Sequence, residues 1–112
     1  MKTTLNNLFS KDETEHGTYK GYNWIIRNFG SHFCAYVEIP KDHPFYGKGW
    51  NDEAMYELNC NGGVTYTNES ANGWIIGWDY AHCFNIGESL HFYQIQEDVE
   101  DVIEQLISLR NS

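Results

Sequence analysis

Three short patches hold most of the side chains in this chain that could do chemistry. They are His43-Pro44-Phe45-Tyr46-Gly47-Lys48, Gly62-Gly63-Val64-Thr65-Tyr66 and Gly77-Trp78-Asp79-Tyr80-Ala81-His82. Each sets glycine beside aromatic rings and polar or ionisable groups, the mixture of a small-molecule site: faces to stack on, backbone to approach, charges to orient. In the first patch Lys48, between Gly47 and Gly49, can bring a cation and open amides to a phosphate or carboxylate, with His43 as a second donor. Tyr46 and Trp50 offer flat surfaces to a base. The G-x-x-x-x-G-K-[ST] spacing of a Walker loop is absent. The plainer alternative is that Pro44 and the aromatics pin this loop to a sheet while Lys48 is solvated.

Gly62 and Gly63, followed by Thr65, fit an anion-binding nest or an ordinary hairpin turn. Asp79 and His82 stand three apart at a predicted strand end, where the carboxylate could fix the imidazole tautomer. In an enzyme His82 would be the general base and Asp79 its orienting partner, with His43 or Lys48 stabilising developing charge. In a binder the same pair would hold a ribose hydroxyl or an amide, beside Trp78 as a further stacking surface. A third reading is a polar pair that only closes the strand. Cys34, Cys60, Cys83 and His82 lack the spacing of a zinc site, and a lone cysteine on a strand is commonly a small core residue. No metal and no cofactor is expected.

The elements that must position these groups follow from pattern. Residues 1–18 are polar, with one helical turn expected over Thr4 to Phe9 and a loop over Lys11 to Gly17; a single domain follows over 19–112. Tyr19 to Phe29 and His32 to Ile39 read as a β-hairpin around Gly30-Ser31, with Phe33, Ala35, Val37 and Ile39 facing a core. A long functional loop is expected over 40–54. Met55 to Cys60 and Val64 to Thr67 read as strands about the Asn61-Gly62-Gly63 turn, and Trp74 to Tyr80 as a further strand. Val99, Val102, Ile103, Leu106 and Leu109 follow helical spacing, with carboxylates crowding the first turns. The fold class is α+β: an antiparallel sheet of about four to six strands with a C-terminal amphipathic helix.

Bulk composition narrows the function classes. The 112 residues carry a net charge of −9 and 16% aromatics. Direct nucleic-acid binding is disfavoured by that charge, whereas a small phosphate ligand needs only a locally positive pocket. Three cysteines without paired spacing fit reduced thiols in a cytosol. Neither a membrane-spanning run nor a signal-peptide core is present, so a cytoplasmic protein is expected.

The same patches resemble a family of small, mostly uncharacterised bacteriophage and prophage proteins. Its pattern has a strand ending Y-V-x-P, an HP-x-YGK loop, an HGG-x-T turn, a G-[FW]-D-x-x-H segment and an acidic helix ending near E-Q-L. The matches here are Tyr36 to Pro40, His43 to Lys48, Gly62 to Thr65, Gly77 to His82 and Glu104-Gln105-Leu106, with Asn61 in place of the family's histidine. The resemblance implies a phage protein acting on its host, commonly against host defence. The expected function is sequestration of a small nucleotide-derived signal, a cyclic ADP-ribose derivative or cyclic oligonucleotide, by a homo-oligomer. The expected ligand contacts are His43, Tyr46, Lys48, Trp50, Gly62, Gly63, Thr65, Trp78, Asp79 and His82. The alternatives are an enzyme cleaving that signal, and an anti-CRISPR-like inhibitor of a host defence protein acting through the acidic face at Glu97, Asp98, Glu100, Asp101 and Glu104.

Overall fold

The computed structural model describes residues 14–28, 32–80 and 92–111. Its first turn places both Lys20 and Gly21 in the left-handed region, at φ 49° and 86°. Two consecutive positive φ values give the turn whose twist matches paired antiparallel strands. It joins β1 (Thr14–Tyr19) to β2 (Tyr22–Asn28). Where the sequence pattern suggests a loop over 11–17 and one strand from Tyr19 to Phe29, the chain therefore makes a hairpin. Among the described residues the sheet is already present at Thr14, within the segment expected to be polar loop. Glu15, His16 and Thr18 are all exposed on this edge strand, so no apolar alternation marks it. The helical turn expected over Thr4 to Phe9 lies outside the described residues.

β3 (Phe33–Pro40) pairs with β2, β5 (Gly73–Asp79) with β3, and β4 (Tyr66–Glu69) with β5, all antiparallel, in the order β1-β2-β3-β5-β4. With α1 (Phe92–Arg110) this is the expected α+β architecture. Trp24, Ile26, Ala35, Val37, Ile39, Ile76 and Trp78 share one sheet face and one core with Ile95, Val99, Val102, Ile103 and Leu106 of α1. The opposite face holds Ile25, Cys34, Tyr36 and Ile75, with Tyr66 packed against them. The first turn of α1 carries no carboxylate, because the helix starts at Phe92 and Glu97 stands more than a turn further in.

Between β3 and β4 the chain makes an excursion over 41–65. Phe45, Met55 and Leu58 from this stretch join the core that α1 covers. The strand expected over Met55 to Cys60 is replaced by a 3-10 turn, Glu53–Glu57, with Asp52 accepting from the Ala54 N–H at 2.9 Å. Met55 and Leu58 are both buried and three residues apart, the repeat of a 3-10 helix and not of a strand.

Candidate functional site

Among the described residues, the expected patches lie at different ends of the sheet. His43 is only 3% exposed. Its Nδ1 accepts from the Phe45 N–H at 3.0 Å, which leaves the proton on Nε2 to be donated to the Leu106 carbonyl at 2.8 Å. Burial lowers its pKa, offset only in part by that carbonyl. The ring fastens the 41–65 excursion to α1, and neither nitrogen is left for a phosphate or for proton transfer. This corrects its assignment as a ligand-binding or catalytic group.

Two more fasteners flank it. Asp42 pairs with Arg110 at 2.6 Å, and the Gln105 amide donates to the Asn59 carbonyl (2.8 Å) while accepting from the Asn59 N–H (2.7 Å). Tyr46 donates to Glu69 at 3.1 Å and meets the Trp74 ring edge-on, while Trp74 Nε1–H donates to the Lys48 carbonyl at 2.9 Å. The loop is thus pinned to the β4–β5 end of the sheet where β5 begins. Trp50 keeps an open face, at 56% exposure.

The second and third patches do meet. Thr65 Oγ1 donates to Asp79 Oδ2 at 3.2 Å, and Asn61 Nδ2 donates to the Asp79 carbonyl at 3.1 Å. Gly62 and Gly63 sit at φ 72° and 81°, which only glycine adopts readily twice in succession. This cluster lies at the other end of β5, roughly 20 Å from Gly73 at the usual rise per residue. His82, and with it the Asp79–His82 pair, lies outside the described residues. Trp78 is 1% exposed and donates through Nε1 to the Tyr80 hydroxyl, which donates in turn to Asp98 at 2.7 Å. It has no free face to offer a ligand, which corrects its assignment as a stacking surface. Burial, and then the Asp98 bond, hold the Tyr80 phenol far above its ordinary range. Beside the cluster is a recess of about 250 Å³ lined by Asn59, Cys60, Asn61, Asp98, Asp101 and Val102. Its two carboxylates suit a donor and repel a phosphate.

Cys60 packs against the helix-side core and Cys34 lies on the opposite face, so the two cannot share a metal ion. Among the described residues no group of three or more His, Cys, Asp or Glu could hold one. Burial pushes the Cys60 thiol up to about 11, against a lowering bond at Gly63, and burial raises Cys34 as well. At pH 8 the Cys60 peptide should therefore be alkylated on the order of 100-fold more slowly than a free thiol. Labelling at the rate of glutathione would refute this inert role.

A better-built cavity lies at the end of the sheet where β3 finishes and β5 starts. It measures about 410 Å³ and is lined by Lys20, Tyr22, Asn23, Glu38, Asn72 and Arg110, among others. Lys20 is held by Glu104 at 2.7 Å, a bond that raises Lys20 and lowers Glu104, and Tyr19 donates to the same carboxylate. Tyr22 and Asp42 beside Arg110 raise it further, although the Tyr22 hydroxyl does not meet the guanidinium in hydrogen-bonding geometry. Lys41 follows directly on Pro40 of the lining, and Lys48 is tied to this end through Trp74. Arg27 stands at the opposite end, in register with Cys34 and one strand from Asp79. Sequence reasoning missed this cavity because its residues come from well-separated segments that only strand register assembles. The one signal was Glu38, a carboxylate inside an otherwise apolar strand.

No family model, curated protein or solved structure matches this chain. Among the described residues, no helix is long and apolar enough to cross a membrane. The functional class therefore has to come from an α+β fold with a cation-rimmed cavity at one sheet end and an acidic recess at the other.

Proposed function

We propose that this chain is a cytoplasmic binding protein of the kind bacteriophages direct against host defence, and that it sequesters a small nucleotide-derived signal. One observation carries the reading. In a chain of net charge −9, Lys20 and Arg110 both line the larger cavity, and Lys41 follows directly on Pro40 of its lining. The pairs Lys20–Glu104 and Arg110–Asp42 are exposed, so each holds its partner only weakly and can release it to an incoming phosphate. Trp50 adds a stacking face on the loop that Trp74 pins to this end. His43, one of the two groups expected to stabilise developing charge in an enzyme, is instead consumed in holding the fold. A homo-oligomer would enclose the ligand more fully, and exposed Trp50, Tyr56 and Tyr93 suit contacts between copies. The protein-inhibitor alternative has less support, since Asp98, Asp101 and Glu104 already serve Tyr80, Gln105 and Lys20.

The test is direct. Purified protein is incubated with a nucleotide panel that includes cyclic signals, stripped of free ligand, heat-denatured, and the released material is analysed by mass. Intact ligand is expected, with retention falling at least about tenfold when Lys20→Ala and Arg110→Ala are combined, as charge-assisted phosphate bonds are lost. Chemically altered ligand would make this an enzyme. If nothing is retained, the reading fails in favour of a protein partner.

A further inference from the structure

Glu38 and Tyr22 both line the 410 Å³ cavity, and both keep a buried polar atom that has no hydrogen-bond partner. Glu38 is 7% exposed and Tyr22 6%. Asn23 Nδ2 donates to Glu38 Oε1 at 3.1 Å, which orients the carboxylate and leaves Oε2 unmatched. Asn23 is itself fixed, because its Oδ1 accepts from Thr18 at 2.9 Å. Buried polar atoms in folded proteins are nearly always paired, since leaving one unmatched forfeits the water it lost on folding. Tyr22 turns to the helix side, beside Arg110, and Glu38 to the other face, so it is the unmatched Glu38 Oε2 at the cavity that points to a ligand donor.

The chemistry of that atom narrows the ligand. An ionised carboxylate only accepts, so Oε2 requires a donor. The rim supplies the opposite preference, because Lys20 and Arg110 are cations and favour an anionic group. A ligand that fits both ends has a hydrogen-bond donor inside and an anion outside. We propose that Glu38 reads the exocyclic amino group of a nucleobase whose phosphate lies at Lys20 and Arg110. This assignment rests on the nucleotide reading above and adds the identity of the base edge to it. An amino-bearing base donates to Oε2. A base with a carbonyl at that position sets two acceptors against each other and leaves Glu38 both buried and repelled.

AMP and IMP differ along this one edge, where IMP exchanges the amino group for a carbonyl and carries a proton on N1, and they serve as probes for calorimetric titration of the full chain. AMP should bind at least about tenfold more tightly than IMP, a factor in the range of one charge-assisted hydrogen bond. In Glu38→Gln the amide can donate to a carbonyl, so the preference should level out or reverse. Because that variant replaces a carboxylate by an amide of the same shape, its melting temperature should stay at the wild-type value or rise. Equal binding of AMP and IMP by the wild type would overturn the base-edge assignment alone. Binding of neither nucleotide, nor of any cyclic signal, would overturn the nucleotide reading and this inference together. A Glu38→Gln variant that melts as the wild type does yet keeps full AMP preference would show that Glu38 is not the discriminating group.

Discussion

Gly73→Ala should lower the stability of this protein by about 3 kcal/mol or more, the largest effect expected of any single methyl group here. A Cβ at Gly73 would overlap the Ile39 carbonyl oxygen and lie 3.0 Å from its carbon, with the Pro40 Cα at 3.3 Å. All three atoms are backbone, so no rotamer change relieves the clash. Gly73 is in register with Pro40 at the end of the β3–β5 pairing. Its other side is held too: Gly73 N–H donates to Ser70 Oγ at 3.1 Å, and its carbonyl accepts from the Ser70 N–H at 3.0 Å. Relief then requires the two central strands to part at that end, beside the cavity lined by Ile39, Pro40 and Asn72. For a domain of this size the melting midpoint should fall by roughly 10–15 °C. Gly47→Ala is the matched control. Gly47 sits at φ 82° with nothing within 4 Å of a new Cβ, so only backbone strain of roughly 1 kcal/mol applies. Equal losses for the two variants in urea melts would show that the Gly73 contact is not the cause.

Much of the core could be read before any coordinates, because its pattern is local. Ala35, Val37 and Ile39 alternate along β3 and all three are fully buried on the helix side, although Cys34, Tyr36 and Glu38 between them are buried on the other face as well. Val99, Val102, Ile103 and Leu106 keep helical spacing, and α1 buries them together with Ile95. The failures are equally physical. β1 is a polar edge strand, so its existence depends on pairing with β2 and on nothing in its own residues. Met55 and Leu58 look like strand residues by type, and only their spacing of three betrays the 3-10 turn.

The candidate site was less legible for a different reason. Glycine, aromatic and charged residues clustered along the chain suggest a pocket, yet the same residues also build tight turns and fasteners. The acidic motif Glu104-Gln105-Leu106 is a clear case. Its three members hold three separate parts of the fold: Glu104 the β1–β2 turn, Gln105 the segment after the 3-10 turn, and Leu106, through its carbonyl, His43. Gly77 in the third patch is likewise a spacer, since a Cβ there would come within 2.6 Å of the Tyr36 ring. The cavity that best suits a ligand draws on residues far apart in sequence. Register is the property of the chain that single-sequence reading recovers least.

His43→Ala is expected to cost about 3 kcal/mol, since it empties a buried ring site, leaves the Phe45 N–H unmatched and removes the bond to the Leu106 carbonyl. The pH dependence separates this role from a generic packing loss. In the folded chain Nδ1 is an acceptor, so protonating it breaks the bond from Phe45 and places a charge in the core. Burial accordingly holds the folded pKa below the ordinary histidine value of about 6.5, while the unfolded chain keeps that value. As pH falls through about 6.5 the unfolded state takes up the proton first, and folding stability falls with it. The contribution is fully present above that pH and is lost towards the lowered folded pKa. Urea unfolding at pH 7.5 and again near pH 5 should therefore show a larger acid loss for the wild type than for His43→Gln, which has no imidazole to titrate. Other acid-sensitive pairs, Lys20–Glu104 among them, are common to both proteins and cancel in the comparison. Parallel losses would mean that His43 titrates alike in both states, and the fastening role drawn from its two hydrogen bonds would have to be abandoned.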